Sequence, residues 1–253
     1  MNPDLALALQ LADLADGITR AAFRSRDLVV STKPDLTPVT DADRKVEEVL
    51  RASLAQARPD DAVLGEEFGT SGPAGARRRW IIDPIDGTKN FVRGIPVWAT
   101  LIALHDEEGK GLVGVASAPV LGRRWWAARG EGAFADGEPI HVSSVGRLED
   151  AQVSYSSISG WTTPEPLLAL AGRVWRTRAF GDFWSHLLVA EGAADVGLDP
   201  VVSLWDLAAL QVIVEEAGGR FTDLAGEARP DGGSAVTTNG LLHDEVLGIL
   251  NAS

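Results

Sequence analysis

The sequence predicts a mixed fold, α+β / α/β, with a hairpin-rich lobe over residues 1–145 and an alternating α/β lobe over residues 146–253, joined as one compact unit. Three observations carry this expectation. The chain has 253 residues and 45% hydrophobic content, enough for one large domain or two small lobes sharing a core. Strand-like apolar runs crowd the stretch before residue 137, with tight turns at Gly130-Glu131-Gly132 and Asp136-Gly137. After about residue 145, strand-like and helix-like segments alternate.

Taken in order, Leu5, Leu9, Ala12 and Leu14 open an amphipathic helix expected from residue 3 to about 29. Pro34 and Pro38 make Lys33 to Val39 a loop. A second helix starts at Thr40-Asp41-Ala42-Asp43, buries Val46, Val49, Leu50 and Leu54, and stops at Pro59. Ala62-Val63-Leu64 is a short strand, Gly69 to Ala76 an exposed hairpin or loop, and Arg77-Arg78-Arg79 a solvated rim. Trp80-Ile81-Ile82 is an apolar strand, followed by strands at 97–104, 111–116 and 124–128. The first lobe is therefore expected to be antiparallel. In the second lobe, strands are expected at 153–155, 174–177, 194–197, 220–222 and 236–238. Helices are expected from Thr163-Pro164-Glu165, over 182–191, over 204–217 and from Leu241, with Gly218-Gly219 ending the third.

The formal charge of −13 disfavours nucleic acid and anionic membranes, and suits metal cations or cationic ligands. With no cysteine, disulfides, thiolate zinc sites and a Cys nucleophile are excluded. Residues 1–20 lack the basic start and continuous apolar run of a signal peptide, and no stretch is long enough to span a bilayer, so a cytoplasmic location is expected. Asn251-Ala252-Ser253 fits a glycosylation triplet, read as chance without a secretory signal.

Asp83-Pro84-Ile85-Asp86-Gly87-Thr88-Lys89-Asn90-Phe91 is the most informative stretch. Asp83 ends an apolar strand, and the stiff turn at Pro84 brings Asp86 back towards it. Two carboxylates and the Ile85 carbonyl are hard oxygen ligands suited to Mg²⁺. Gly87 and Thr88 follow where backbone N–H groups at a helix start are unpaired, an anion site. Alone, the run reads sooner as an Asp-Gly turn with Asp86 near a helix N-terminus. Gly65-Glu66-Glu67 alone is an exposed acidic turn. Ser203 with Asp206, and Thr40 with Asp43, have capping-box spacing. The apolar flank of Trp205, Leu207 and Ala208 predicts a partly buried Asp206, which needs a partner.

Taken together, Gly65-Glu66-Glu67, Asp83 to Thr88 and Trp205-Asp206-Leu207-Ala208-Ala209 resemble the inositol monophosphatase family. Pro38 to Asp43 and Glu215-Glu216-Ala217-Gly218-Gly219 fit the same pattern, so the match spans most of the chain in order. The resemblance implies a layered αβαβα sandwich of the inositol monophosphatase/fructose-1,6-bisphosphatase type. It implies lithium-sensitive, Mg²⁺-dependent phosphomonoester hydrolysis by metal-activated water. Glu66, Asp83 and the Ile85 carbonyl would hold a first metal, and Asp83, Asp86 and Asp206 a second. Glu66 would also serve a third, weaker site, giving two or three Mg²⁺ per active site. Asp43, Thr88 and Glu66 are the implied catalytic residues, the first two orienting and deprotonating the attacking water. Gly87 and Thr88 would grip the phosphate. Two metals about 4 Å apart can activate one oxygen and neutralise the leaving one, and phosphoryl transfer asks mainly for positioning and charge neutralisation. Lys89 stands where many relatives carry a second threonine, and Lys33 matches a loop lysine near the metals. Relatives are often dimers, so a homodimer is expected, with a small phosphorylated substrate and neither nucleic acid nor membrane as partner.

In the family the leaving group lies against the second lobe, which implies substrate contacts for Asp86, Asp182, Asp199 and Asp206. Gly181-Asp182-Phe183-Trp184-Ser185-His186 resembles the histidinol-phosphatase branch, because inositol phosphatases usually carry small neutral residues near Asp182. L-Histidinol phosphate brings an ammonium and an imidazole that Asp182 and Asp199 could pair with; an inositol ring brings only hydroxyls. The reading is hydrolysis of L-histidinol phosphate in histidine biosynthesis. The alternative is inositol 1-phosphate or another sugar-alcohol phosphate, and a third reading, a silent relative, is opposed by the full carboxylate set. Asp182 also suits a helix cap after Gly181. His186 and Trp184 read as core or wall, and Trp80, Trp98, Trp125, Trp126, Trp161 and Trp175 as core or interface.

Overall fold

The computed structural model describes residues 2–34 and 36–252. Ser253 of the glycosylation triplet and Asp35 of the expected loop lie outside the described residues, as does Met1. The first half contains α1 (Pro3–Ala22), β1 (Val30–Thr32), β2 (Pro38–Thr40), α2 (Asp41–Ala57), β3 (Ala62–Gly65), β4 (Gly69–Ser71), β5 (Arg79–Asp86), α3 (Thr88–Val92), β6 (Ala99–His105), β7 (Gly111–Ala118), β8 (Arg123–Ala128), β9 (Ala133–Ala135) and β10 (Glu138–Ile140). The second contains β11 (Gln152–Tyr155), α4 (Glu165–Ala171), β12 (Arg176–Arg178), α5 (Asp182–Ala190), β13 (Val196–Asp199), α6 (Leu204–Glu216), β14 (Arg220–Thr222), β15 (Ala235–Thr238) and α7 (His243–Leu250).

These elements stack in five layers. An eight-stranded sheet runs β10-β9-β8-β7-β6-β5-β3-β4, and a five-stranded sheet runs β12-β11-β13-β15-β14. Strands that alternate their side chains between faces need cover on both. Leu5, Leu11, Val46 and Leu50 of α1 and α2 cover one face of the large sheet through Trp80, Ile82, Ile102 and Val113. Phe183, Leu187, Ala208 and Val212 of α5 and α6 cover the other through Ile81, Leu101, Ala116 and Trp125. The small sheet lies beyond α5 and α6, and its far face packs Val153, Val196 and Val236 against Leu167, Leu170, Val246 and Leu250 of α4 and α7. This is the layered αβαβα sandwich. Among the described residues, no helix is long and apolar enough to cross a membrane.

Three expectations change. Helix α1 ends at Ala22, not near residue 29, because Phe23 leaves the helix to pack its ring 5.5 Å from those of Phe91 and Trp98. The loop around Lys33 is the tip of a hairpin in which Val30–Thr32 pair with Pro38–Thr40; Pro38 is tolerated at a strand start on an edge. The large sheet is not wholly antiparallel, since β3 and β5 run parallel. Strand β4 turns back along the outer edge of β3, so β5 enters on the inner side in the direction of β3. Of the tryptophans, Trp80, Trp98 and Trp125 are fully buried, whereas Trp175 is 64% exposed.

Candidate active site

One irregularity in β5 builds the centre of the site. Asp83 lies opposite Leu101 on β6 and Asp86 lies opposite Ala99, so three steps on β5 span two on its partner. In a regular strand, residues three apart point to opposite faces; the extra residue returns Asp86 to the face of Asp83. That is the face covered by α5 and α6. Pro84, which has no N–H to pair, falls within this bulge, and its carbonyl accepts from the Thr100 hydroxyl at 2.7 Å. Ile85 points into the opposite core beside Ala42, Phe91 and Trp98, and its carbonyl accepts from the Thr88 hydroxyl at 3.0 Å.

The other groups arrive from neighbouring elements. In the parallel register of β3 and β5, Gly65 pairs with Ile82, which places Glu66 beside Asp83. Asp206 enters from the first turn of α6, where it accepts from the Ser203 N–H at 2.6 Å. Oxygens of Asp83, Asp86 and Asp206 lie within 4.8 Å of one another. Burial pushes Asp83 and Asp86 well above the ordinary carboxylate range, and nearby acids (Glu66 for Asp83, Asp182 for Asp86) push the same way. Burial likewise raises Asp206 to about 6. Carboxylates crowded in low dielectric resist ionising together, and a multivalent cation with hard oxygen preference is the partner such a donor set fits.

Glu66 stays outside the three-carboxylate cluster. It pairs at 2.6 Å with Lys33, which reaches in from the β1–β2 hairpin. Burial lowers the proton affinity of Lys33, but hydrogen bonds to Glu66 and Glu67 outweigh it and hold the ammonium well above its ordinary range. Asp43 is fully buried at the third position of α2, where it accepts from the Thr40 N–H at 2.8 Å. Its other oxygen lies 3.5 Å from the Thr88 hydroxyl. Burial raises Asp43 to about 6, against the hydrogen bonds from Thr40. Cap and site coincide at both residues: Asp43 holds its helix start with one oxygen and faces Thr88 with the other, and Asp206 combines its cap with a side-chain hydrogen bond to Asp83.

Gly87 precedes α3 with φ 84°, and a Cβ there would stand 3.1 Å from the Val97 carbonyl and 3.3 Å from an Asp182 oxygen. Only glycine takes that conformation without strain. Asp182 itself has φ 48°, in the left-handed region. It begins α5, accepts from the Asn90 amide at 3.0 Å, and is raised to about 6 by burial and by Asp199. The next N–H, of Phe183, donates to Asp86 at 2.6 Å, tying α5 to the cluster. Asp199 ends β13, 4% exposed, and binds His186 at 2.9 Å. The candidate site residues Asp43, Glu66, Asp83, Asp86, Gly87, Thr88, Asp182, Asp199 and Asp206 thus lie around one end of β5.

Sequence reasoning missed Glu47, Asn90 and Thr237. Glu47 is fully buried one helical turn beyond Asp43 and accepts from the Glu67 and Phe68 N–H groups at 2.7 and 3.1 Å, fixing the turn that carries Glu66. The signal was a glutamate on the apolar face of α2, between Val46 and Leu50. Asn90 and Thr237 carried no such signal, since their partners are distant in sequence.

The five-layer sandwich with crowded carboxylates at the end of β5 fits a metal-dependent phosphatase. More particularly, the chain belongs to the inositol monophosphatase family, whose pattern matches residues 1–252. It is 62% identical over 259 residues to a histidinol-phosphatase of Mycobacterium tuberculosis, covering 99% of each chain. It is 54% identical over 259 residues to a histidinol-phosphatase of Streptomyces coelicolor, covering 98% of this chain and 97% of the other. Among solved structures, the Thermotoga maritima IMPase superposes with a TM-score of 0.89 at 33% identity, covering 98% of this chain and 96% of that one.

Proposed function

We propose that this protein hydrolyses L-histidinol phosphate to L-histidinol and phosphate with Mg²⁺ as cofactor. The observation that carries the substrate reading is the pair Asp182 and Asp199, two acids beside the cluster, close enough that Asp199 helps to raise Asp182. A site that spends two buried carboxylates on a leaving group suits a cationic one. The names of the Mycobacterium and Streptomyces relatives favour the same substrate.

Asp83, Asp86, Asp206, Glu66 and the Ile85 carbonyl would hold two or three Mg²⁺ ions. When bound, Mg²⁺ supplies Lewis acidity to the attacking water and charge neutralisation to the leaving oxygen. The chain's own groups do the rest. The Thr88 hydroxyl, between the Ile85 carbonyl and Asp43, orients the water, and Asp43, near 6, accepts its proton close to neutral pH. The Gly87 and Thr88 N–H groups face the phosphate at the start of α3. Asp182 and Asp199 receive the ammonium and imidazole. We read residues 1–145 and 146–253 as lobes of one unit, a homodimer acting in the cytoplasm on a small phosphate ester, inhibited by Li⁺.

Phosphate release from L-histidinol phosphate, inositol 1-phosphate and fructose 1,6-bisphosphate, with Mg²⁺ and with or without Li⁺, tests the proposal. L-Histidinol phosphate should give the highest kcat/KM. A preference for inositol 1-phosphate would overturn the substrate assignment, and no turnover of any ester would overturn the activity.

A further inference from the structure

We infer that His186 is a positioning residue that aims the Asp199 carboxylate at the cationic end of the substrate. This rests on the reading of Asp199 as a substrate contact given above. His186 is 1% exposed, yet both ring nitrogens are engaged. Its Nε2 lies 2.9 Å from Asp199 Oδ2 and its Nδ1 lies 2.7 Å from Thr237 Oγ1. Rotating the ring breaks both contacts, so the imidazole has one orientation.

The fold makes room for that orientation. Thr237 on β15 pairs with Gly197 on β13. A Cβ at Gly197 would stand 3.3 Å from His186 Nδ1 and 3.0 Å from the Ser185 carbonyl, so a side chain there would push α5 off the sheet. Asp199 is two residues further along β13, on the same face. The ring therefore bridges from β15, across Gly197, to Asp199. The adjacent Ser185 hydroxyl lies 2.8 Å from that of Ser154 on β11 and 3.0 Å from the Gly181 N–H. Helix α5, whose first residue is Asp182, is thus docked on the small sheet by polar contacts beside both substrate acids.

The chemistry of the donor matters. A buried carboxylate needs a hydrogen-bond donor. A lysine or arginine at position 186 would satisfy Asp199 but also neutralise it. An imidazole in its neutral form can donate from one ring nitrogen and accept at the other, so in that form it would fix one carboxylate oxygen of Asp199 and leave the charge for a substrate ammonium. Holding without neutralising is what a cation-specific pocket requires.

Steady-state kinetics of His186→Leu, His186→Gln, Thr237→Val and Asp199→Asn with L-histidinol phosphate and p-nitrophenyl phosphate test the inference. His186→Leu should raise KM for L-histidinol phosphate about tenfold, the loss of one charge-assisted contact, with kcat changed by less than about threefold. KM for p-nitrophenyl phosphate, which has no cation, should hold. His186→Gln, whose amide can donate to Asp199, should recover most of the loss, and Thr237→Val should give a smaller shift of the same kind. Equal losses on both substrates, or no KM shift in either His186→Leu or Thr237→Val, would overturn the positioning role. An unchanged KM in Asp199→Asn would remove the substrate reading beneath it. A raised KM there beside a normal His186→Leu would remove only this inference. Should His186→Leu fail to fold, Thr237→Val decides between the same outcomes.

Discussion

The two halves of the site hold their carboxylates by different means. At the proposed metal end, Asp83, Asp86, Asp206 and Asp43 accept from backbone N–H groups of Ile85, Phe183, Ser203 and Thr40, with the Thr88 hydroxyl beside Asp43 and Lys33 on Glu66 as side-chain additions. At the proposed leaving-group end, Asp182 and Asp199 are held by side chains, Asn90 and His186. Backbone donors come with the fold and survive most substitutions, so the metal end is as durable as the sandwich itself. Side-chain donors can be exchanged one at a time, so on the proposed assignment the leaving-group end could change its substrate without touching the chemistry. A shared scaffold with divergent specificity follows from that division of labour.

Four measurements break or sharpen this contrast. The largest effect is expected from Asp83→Asn, which leaves the backbone donors in place but removes the central charge. Turnover should fall by about a thousandfold or more, while circular dichroism reports an intact fold; retained activity would remove Asp83 from the cluster. Next is Asp182→Asn, chosen because asparagine also tolerates the left-handed backbone. It should raise KM for L-histidinol phosphate by about 10- to 100-fold, worth one charged contact. KM for an aryl phosphate should stay near its wild-type value, and equal losses would return Asp182 to a helix-capping role.

Asn90→Ala removes a neutral donor to Asp182, and about 1 kcal/mol, or fivefold in KM, is the scale expected. No change in a well-folded Asn90→Ala would mean the leaving-group end is not held by side chains. The smallest effect is on stability without metal. Burial raises Asp43, Asp182 and Asp206 to about 6, above the unfolded value near 3.8. Groups raised in the folded state favour folding fully below the unfolded value and lose that contribution as pH climbs through the folded one. Chelator-treated protein should therefore melt a few degrees lower at pH 7 than at pH 5, and Mg²⁺ should narrow the gap. A melting temperature that rises with pH across that window would contradict the crowding of charge.

Much of this was legible because the informative residues are near in sequence or tied to a pattern. The run Asp83 to Thr88 announces the proposed ligands and the proposed phosphate cradle, and capping spacing places Asp43 and Asp206 at helix starts. What could not be read was supplied by distance. Asn90 meets Asp182 across 92 positions, and His186 meets Thr237 across 51. The buried His186 was expected as a wall residue, and only its two partners give it a role. The end of α1 was misplaced for the same reason: Phe23 carries no local stop signal, and the aromatic rings that draw it out of the helix lie about seventy residues away. The parallel pairing of β3 with β5 depends on which edge β4 occupies, and periodicity is blind to that choice.

The extra residue in β5 has a further consequence, which is a matter of parity. Odd and even positions of that strand serve opposite cores, and the added position between Asp83 and Asp86 switches the count midway. Replacing Ile85 by another apolar residue leaves the bulge in place, whereas deleting it would leave Asp83 and Asp86 two apart on one face of a regular strand and would remove the carbonyl that accepts from the Thr88 hydroxyl. The added residue therefore contributes a backbone oxygen beside the two carboxylates, a group that no substitution at position 85 would take away.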